Sequence, residues 1–367
     1  MHKKVGLIRG DGSSPEIIDQ SVRVLDRIGD LYGHDFEYVP ILMGGEAIDQ
    51  LGDPFPQSEY EKAMQTDSVL LGAVGGPKWD HLPGEMRPEK GLLRLRSQLG
   101  LFSNIRPAKI WKELAEASPL KKEIVDQGID FIIVRELTGG VYFGDHRTEE
   151  KDGLEVATDM MVYDENEIER ILRVGFETAA KRNRHLTMID KANVLDTSRL
   201  WRKVFERVAR EYPEIEADTM LVDNAAMQIV KNPAQFDVIV TENMFGDILS
   251  DEASEITGSI GMIPSSSLGE GTLGVYEPIH GSAPDIAGKN IVNPIACILS
   301  AAMMLRYSFD MEKEADALEK AVENVLEKGY RTADIAKEGE AVTSTSEMGD
   351  LILQELEEIA SLQKEQA

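Results

Sequence analysis

Two rhythms alternate along this chain. Short apolar runs, most of them rich in Val and Ile, are separated by stretches in which apolar residues return every three or four positions. The first pattern predicts buried strands and the second amphipathic helices. KKVGLIR, DSVLLGAV, IDFIIVRE, HLTMID, ADTMLVD and FDVIVTE read as strands. PEIIDQSVRVLDRIGDLYG, opened by Pro15, reads as a helix, as do EKGLLRLRSQLG, DENEIERILRVGFETAAKRN, DTSRLWRKVFERVAREY and NAAMQIVKN. Alternation of this kind predicts an α/β fold with a largely parallel sheet. The stretch TGGVYFGDHRTEEKDGLEVATDMMVY (138–163) breaks the rhythm and reads as a protruding hairpin or arm. IVNPIACILSAAMML (291–305) is the most apolar segment, but it is too short to span a bilayer and is interrupted by Asn293 and Pro294. Asn293 as N-cap and Pro294 at the first helical position predict a buried helix there. Beyond residue 310 the chain is amphipathic and acidic and reads as a solvated helical face.

Length and composition narrow the picture. A chain of 367 residues points to two domains or one large α/β unit, and 42% hydrophobic residues supply a substantial core. A single cysteine, Cys297, excludes an intrachain disulfide and fits a reducing, cytoplasmic compartment. MHKKVGLIRGDG lacks the apolar core of a secretory signal. A net charge of −27 disfavours nucleic-acid partners. No membrane association is expected either. Against that acidic background, any cluster of arginines is conspicuous.

Polar residues gather just after the predicted strands. Arg135 closes IDFIIV, Asp190 and Lys191 close HLTMI, Asp223 closes ADTMLV, and Asp247 and Asp251 follow FDVIVTE. In open α/β sheets, ligands bind outside the carboxyl ends of strands. Asp247 and Asp251 are four apart, so on a helix they share a face and repel. Asp247 reads either as a helix N-terminal residue favoured by the macrodipole, or with Asp251 as a metal ligand. Asp223 at the end of another strand favours a hard divalent cation such as Mg²⁺ or Mn²⁺. In EKGLLRLRSQLGLFSNIR, the residues Glu89, Leu92, Leu93 and Arg96 share one helix face, and Arg106 follows in an apolar setting. With Arg135 they offer three guanidiniums to a dicarboxylate, and the leucines suit an alkyl group on it. The leucine pair reads equally as a core-facing stripe. GDGSSPE (10–16) nearly matches the dinucleotide fingerprint, for which Glu37 is a poor acidic partner. GAVGGPKWD (72–80) and EPIHGSAPDIAG (277–288) are two more Gly-rich loops suited to a nucleotide.

GAVGGPKWD, LRLRSQLGLFSNIRPAK, VRELTGGVYFG, DKANVL, TENMFGDILSDEAS and EPIHGSAPDIAGKNIVNPIA together resemble the 3-isopropylmalate dehydrogenases. These belong to the β-decarboxylating dehydrogenases, with isocitrate, homoisocitrate and tartrate dehydrogenases. The resemblance runs from about residue 4 to about residue 308. It implies a two-domain fold with a large, mostly parallel sheet that is not a standard Rossmann fold. It implies a cofactor-binding domain of residues 1–101 plus 258–367, and a substrate, metal and dimerisation domain of residues 102–257 with an intersubunit arm at 138–163.

The implied activity is the NAD-dependent oxidative decarboxylation of (2R,3S)-3-isopropylmalate in leucine biosynthesis, with one Mg²⁺ or Mn²⁺ per site. The resemblance assigns Tyr142 and Lys191 to acid/base roles and Asp223, Asp247 and Asp251 to the metal. It assigns Arg96, Arg106 and Arg135 to the malate carboxylates, with Asp223, Glu89, Leu92, Leu93 and Val194 also at the substrate. It assigns Gly75, Gly76, Glu89, His280, Gly281, Ser282, Ala283, Asp285, Ile286 and Asn293 to the cofactor, Asp285 meeting the adenosine ribose. It also implies a homodimer in which each site borrows Lys191 and Asp223 from the partner. The chain departs from the family pattern at Arg9, usually Pro, and at Ser13 and Ser14, usually Ile-Gly. Isocitrate would need polar partners where Leu92 and Leu93 stand. Homoisocitrate, D-malate or tartrate oxidation is the alternative as a side specificity. A catalytically dead regulatory subunit would have lost metal or acid/base residues, and all of them are present.

Overall fold

The computed structural model describes residues 1–365. The chain divides into two compact units. The first comprises residues 1–100, 111–117 and those from 258 onward; the second comprises 101–110 and 118–257.

The first unit opens with β1 (His2–Ile8), α1 (Ser14–Tyr32), β2 (Asp35–Pro40), α2 (Gly45–Leu51), α3 (Gln57–Ala63), β3 (Ser68–Leu71) and α4 (Pro88–Gln98). The second follows with β4 (Ser103–Lys109), α5 (Lys122–Val125), β5 (Asp130–Glu136), β6 (His146–Lys151), β7 (Leu154–Asp159), α6 (Glu165–Ala180) and β8 (His185–Asp190). It continues through α7 (Asp196–Ala209), β9 (Glu216–Leu221), α8 (Val222–Lys231), β10 (Val238–Thr241) and α9 (Asn243–Ile256). The chain then returns to the first unit for β11 (Pro264–Leu268), β12 (Gly274–Pro278), α10 (Ile295–Tyr307), α11 (Glu312–Glu327) and α12 (Thr345–Glu365).

In the first unit the strand order is β2-β1-β3-β12-β11; all pairs are parallel except β12 with β11. In the second it is β4-β5-β10-β8-β9, again parallel except at β4. The expected α/β architecture with mostly parallel strands is what these orders describe. Buried parallel strands read as continuous apolar runs, and Val238, Ile239 and Val240 of β10 are fully buried.

Helix α10 is buried from Ile295 through Leu305, as its unbroken apolar sequence requires. Its start differs by one position from expectation. Pro294 occupies the capping position, and Asn293 Oδ1 accepts from Ile295 N at 3.0 Å. The tail is a larger correction. Leu318, Val322 and Leu326 of α11 and Met348, Ile352 and Leu356 of α12 are fully buried, so both helices close the core of the first unit. Their acidic faces are solvated, but the apolar stripe of each is structural. The arm is the expected hairpin, β6 against β7 in antiparallel register, with all twelve residues exposed.

Candidate active site

The second unit gathers its polar residues at the carboxyl ends of its parallel strands. Thr241 on β10 pairs with Arg135 on β5, so α9 begins beside that arginine. Glu242 caps α9 by accepting from the Met244 and Phe245 amides. A Cβ added to Gly246 would lie 2.6 Å from Arg135 Cγ. The missing side chain therefore lets the arginine stem cross the helix. Arg135, whose side chain is only 5% exposed, donates from Nε and Nη2 to Asn243 Oδ1 at 3.1 and 2.8 Å, and from Nη1 to Asp247 Oδ1 at 2.5 Å.

Asp247 is the fifth residue of α9, so it lies beyond the first turn and is not a cap. Its neighbour on the same face, Asp251, accepts from Arg106 Nη1 at 3.1 Å. Arg106 stands on β4, is held by Asn104 Oδ1 and Ser250 Oγ, and brings Nη2 to 3.9 Å from Asp247. Two guanidiniums thus offset the repulsion between the paired aspartates. Tyr142, in the turn that leads into the arm, donates its hydroxyl to Asp247 Oδ2 at 3.0 Å. Burial, and then the charge of Asp247, raise its pKa, so the phenol stays protonated at neutral pH.

Lys191 and Asp223 form a second cluster. Asp190 on β8 pairs with Leu221 on β9, which brings the residues just beyond them together. Lys191 Nζ donates to Asp223 Oδ1 at 2.6 Å, and that bond holds the Asp223 carboxyl below its ordinary pKa. Asp223 is the second residue of α8 rather than the end of a strand. Asp190, which also closes β8, is buried against Arg202 and plays a structural part. Val194 is exposed. Among the described residues, no three Asp, Glu, His or Cys side chains of this chain form a metal-binding group. Asp223 therefore does not join Asp247 and Asp251 within one chain.

The first unit carries the remaining candidates. On α4 it is Leu95 and Gly91 that are buried, whereas Leu92 is half-buried and Leu93 is 36% exposed. The leucine pair is not a core stripe. Arg96, on the same helix, is anchored by Glu277 Oε1 at 2.7 Å. Glu89 approaches Gly75, where an added Cβ would meet its Oε1 at 2.5 Å. Ser282 Oγ donates to Gly75 O at 2.7 Å, joining two of the Gly-rich loops. Ala283 is left-handed at φ +40°, an uncommon conformation for a residue with a Cβ, and exposed Asp285 and half-buried Ile286 follow it. Gly76 and Gly281 flank these contacts in the chain. Burial lowers the His280 pKa and keeps the imidazole neutral, and its Nε2 is buried without a partner. Asn293 Nδ2 donates to Asp334 Oδ2 at 3.0 Å. Glu37 lies on β2, ion-paired with His2 and Lys4, and completes no dinucleotide fingerprint.

Several residues that organise these clusters were not signalled by motif reading. Asn243 holds Arg135 and also donates from Nδ2 to Gly139 O at 3.0 Å, tying α9 to the segment that carries Tyr142. Asp11 accepts from the amides of Gly45, Glu46 and Gly75, and burial raises its pKa. The usable signal was a short polar residue at each strand-to-helix junction, where capping residues are favoured.

The profile of the isocitrate/isopropylmalate dehydrogenase family matches residues 4–352. The 3-isopropylmalate dehydrogenase of Helicobacter hepaticus is 56% identical over 354 residues, 96% of this chain and 99% of that protein. The enzyme of the same name from Aquifex aeolicus is 55% identical over 357 residues, 97% of this chain and 98% of that one. The crystal structure of isocitrate dehydrogenase from Methylococcus capsulatus superposes with a TM-score of 0.84 at 33% identity, covering 97% of this chain and 99% of that one. A β-decarboxylating dehydrogenase from Thermococcus kodakarensis gives 0.80 at 34% identity, covering 99% and 98%. With the family profile matched over residues 4–352 and the relatives over 96–97% of its length, this chain belongs to the isocitrate/isopropylmalate dehydrogenase family.

Proposed function

We propose that this protein is an NAD-dependent, metal-requiring 3-isopropylmalate dehydrogenase acting in leucine biosynthesis in the cytoplasm. It oxidises (2R,3S)-3-isopropylmalate at C2 and releases the carboxylate on C3 as CO₂, leaving 4-methyl-2-oxopentanoate. The relatives of that name support the reaction. The observation that carries the substrate assignment is the pair of half-buried Leu92 and exposed Leu93 on the helix of Arg96, while Leu95 fills the core. Isocitrate presents a carboxylate where isopropylmalate presents its isopropyl group, and burying a carboxylate against two leucines is unfavourable.

Asp247 and Asp251, with Asp223 of a second subunit, would hold Mg²⁺ or Mn²⁺. The donor set fits, because it is all carboxylate oxygen with no thiol or imidazole. NAD⁺ would lie along Gly75, Gly76 and the 280–293 segment, where the unpartnered His280 Nε2 and exposed Asp285 offer polar contacts. When bound, the cation supplies Lewis-acid polarisation at the C2 oxygen and NAD⁺ supplies the hydride acceptor. Arg96, Arg106 and Arg135 hold the two carboxylates. Lys191, as the free amine, accepts the C2 hydroxyl proton. After CO₂ departs, Tyr142, held protonated by its surroundings, gives a proton to C3.

A homodimer completes this site. Met227 and Val230 on α8 and Ile248 on α9 are exposed, although Ala225, Ile229, Leu249 and Ala253 on their other faces sit in the core. Leu154, Val156, Met160 and Val162 are exposed along or beside the arm. Exposed apolar surface of this extent supports a subunit interface.

NADH formation with 3-isopropylmalate, isocitrate and D-malate tests the assignment: 3-isopropylmalate should give much the highest kcat/KM, and a preference for isocitrate would overturn it. Leu92→Ala and Leu93→Ala should each cost about 1–3 kcal/mol of discrimination between 3-isopropylmalate and malate, the range for a small apolar group in its pocket. An unchanged preference would remove the leucines from the substrate site. Asp285 accepts from the ribose hydroxyls and repels a 2′-phosphate, so NAD⁺ should be strongly preferred to NADP⁺. Equal kcat/KM for both cofactors would refute that role.

A further inference from the structure

The GDGSSPE turn has no part in the chemistry above, yet four of its side chains, Asp11, Ser13, Ser14 and Glu16, make well-defined contacts with backbone groups of other loops. Ser13 and Ser14 are fully buried. Ser13 Oγ donates to Ser282 O at 2.9 Å, and the Ser13 amide donates to the same carbonyl at 2.8 Å. Ser14 Oγ donates to Ala73 O at 3.0 Å. Gly12, at φ +59°, lets the turn press so close that an added Cβ would fall 2.3 Å from Ser282 O. Asp11 completes the arrangement by accepting from Gly75 N at 2.8 Å. One short turn therefore grips both remaining Gly-rich loops by their backbones.

We propose that Ser13 and Ser14 are positioning residues for the dinucleotide, their hydroxyls fastening the 73–76 and 282–286 loops in the conformation that binds it. This rests on the reading of those loops as the NAD⁺ site. Gly-rich loops have many conformations to lose on binding, and that ordering cost lowers affinity. Fastening the loops beforehand removes part of the cost, which raises affinity without any contact to the ligand. A hydroxyl lost here leaves a carbonyl less well held and the loop freer.

The test measures NAD⁺ binding directly, by titration calorimetry on the full chain, for wild type, Ser13→Ala, Ser14→Ala and Ser13→Thr. Each alanine variant should weaken NAD⁺ about three- to tenfold, the factor that corresponds to the net worth of one hydrogen bond. Ser13→Thr, which keeps the donor, should stay closer to wild type than Ser13→Ala. In turnover, KM for NAD⁺ should rise with kcat and KM for 3-isopropylmalate nearly unchanged. Amide hydrogen exchange in the two loops should quicken in the alanine variants while exchange in β1 and α1 stays slow. An alanine variant that loses thermal stability yet binds NAD⁺ as wild type does would overturn the proposal, because the serines would then be purely structural. If an alanine variant does not fold, wild-type-like affinity in the other would still overturn it. Wild type that binds no NAD⁺ would fell the cofactor reading itself, a different outcome from equal binding by all four proteins.

Discussion

If the protein is the proposed homodimer, Lys191→Ala and Asp247→Ala, each inactive alone, should together recover about a quarter of wild-type activity when their subunits are exchanged. Random pairing makes about half the dimers mixed, and each mixed dimer has one intact site of two under closed two-fold symmetry. The expectation follows from the way one chain sorts its candidate catalytic side chains. Lys191 pairs with Asp223, whereas Asp247 and Asp251 pair with Arg135, Arg106 and Tyr142. The first pair would serve one site and the second set the other. In a mixed dimer, Lys191 comes from the Asp247→Ala chain and Asp247 from the Lys191→Ala chain, so one site is whole. The second site carries both lesions. If one chain supplied both residues, every site would keep one lesion and exchange would restore nothing. Mass spectrometry of the exchanged sample establishes that mixed dimers formed. A mixture proved to contain them that stays inactive would exclude the shared site.

Asp247→Asn should lower turnover by about a hundred- to a thousandfold, the usual cost of removing one preorganised electrostatic group from an active site. Asp247 meets Arg135, Tyr142 and the edge of Arg106, so its charge is the centre of this cluster. The amide is isosteric, and Asn243 still holds Arg135 by two N–H groups, so the fold should survive. Higher Mg²⁺ or Mn²⁺ should be needed for half-maximal rate, and thermal unfolding should remain cooperative. Wild-type activity in excess chelator, or full turnover by Asp247→Asn at unchanged metal demand, would contradict this role.

The parts of the fold that were legible in the sequence are those where one physical signal dominates. β5 and β10 are largely buried, and their boundaries follow the Val/Ile runs closely, while β8 coincides with the expected HLTMID stretch. β11 and β12 gave no such signal. Ser265, Ser266 and Ser267 occupy the interior of β11 and are buried there, Ser265 with its hydroxyl donating to Glu277 O. A serine run reads as a loop until its tertiary partners are known. β4 was hidden in the same way by Arg106 and Pro107. In the tail, the excess of acid masked the stripe of Leu318, Val322 and Leu326, whose spacing was the better guide.

The candidate site was legible where charge is unusual for its setting, as at Arg106, Arg135, Asp247 and Asp251. What charge pattern could not disclose was how these residues are held. Asn243 and Gly246 look unremarkable in TENMFGDILSDEAS, yet one grips the Arg135 fork and the other makes room for its stem. Likewise Arg9 directly precedes the GDGSSPE turn in sequence, but its guanidinium pairs with Asp19 on α1. Such roles arise from contacts across strands that no local pattern encodes.

The stoichiometry of the proposed reaction distinguishes oxidative decarboxylation from simple alcohol oxidation. Purified protein with NAD⁺, Mg²⁺ or Mn²⁺ and limiting (2R,3S)-3-isopropylmalate should be followed for NADH, CO₂ and the keto acid together. One NADH, one CO₂ and one 4-methyl-2-oxopentanoate should appear for each substrate molecule consumed. NADH without CO₂, or no NADH from 3-isopropylmalate while isocitrate or D-malate is oxidised, would contradict the proposed reaction.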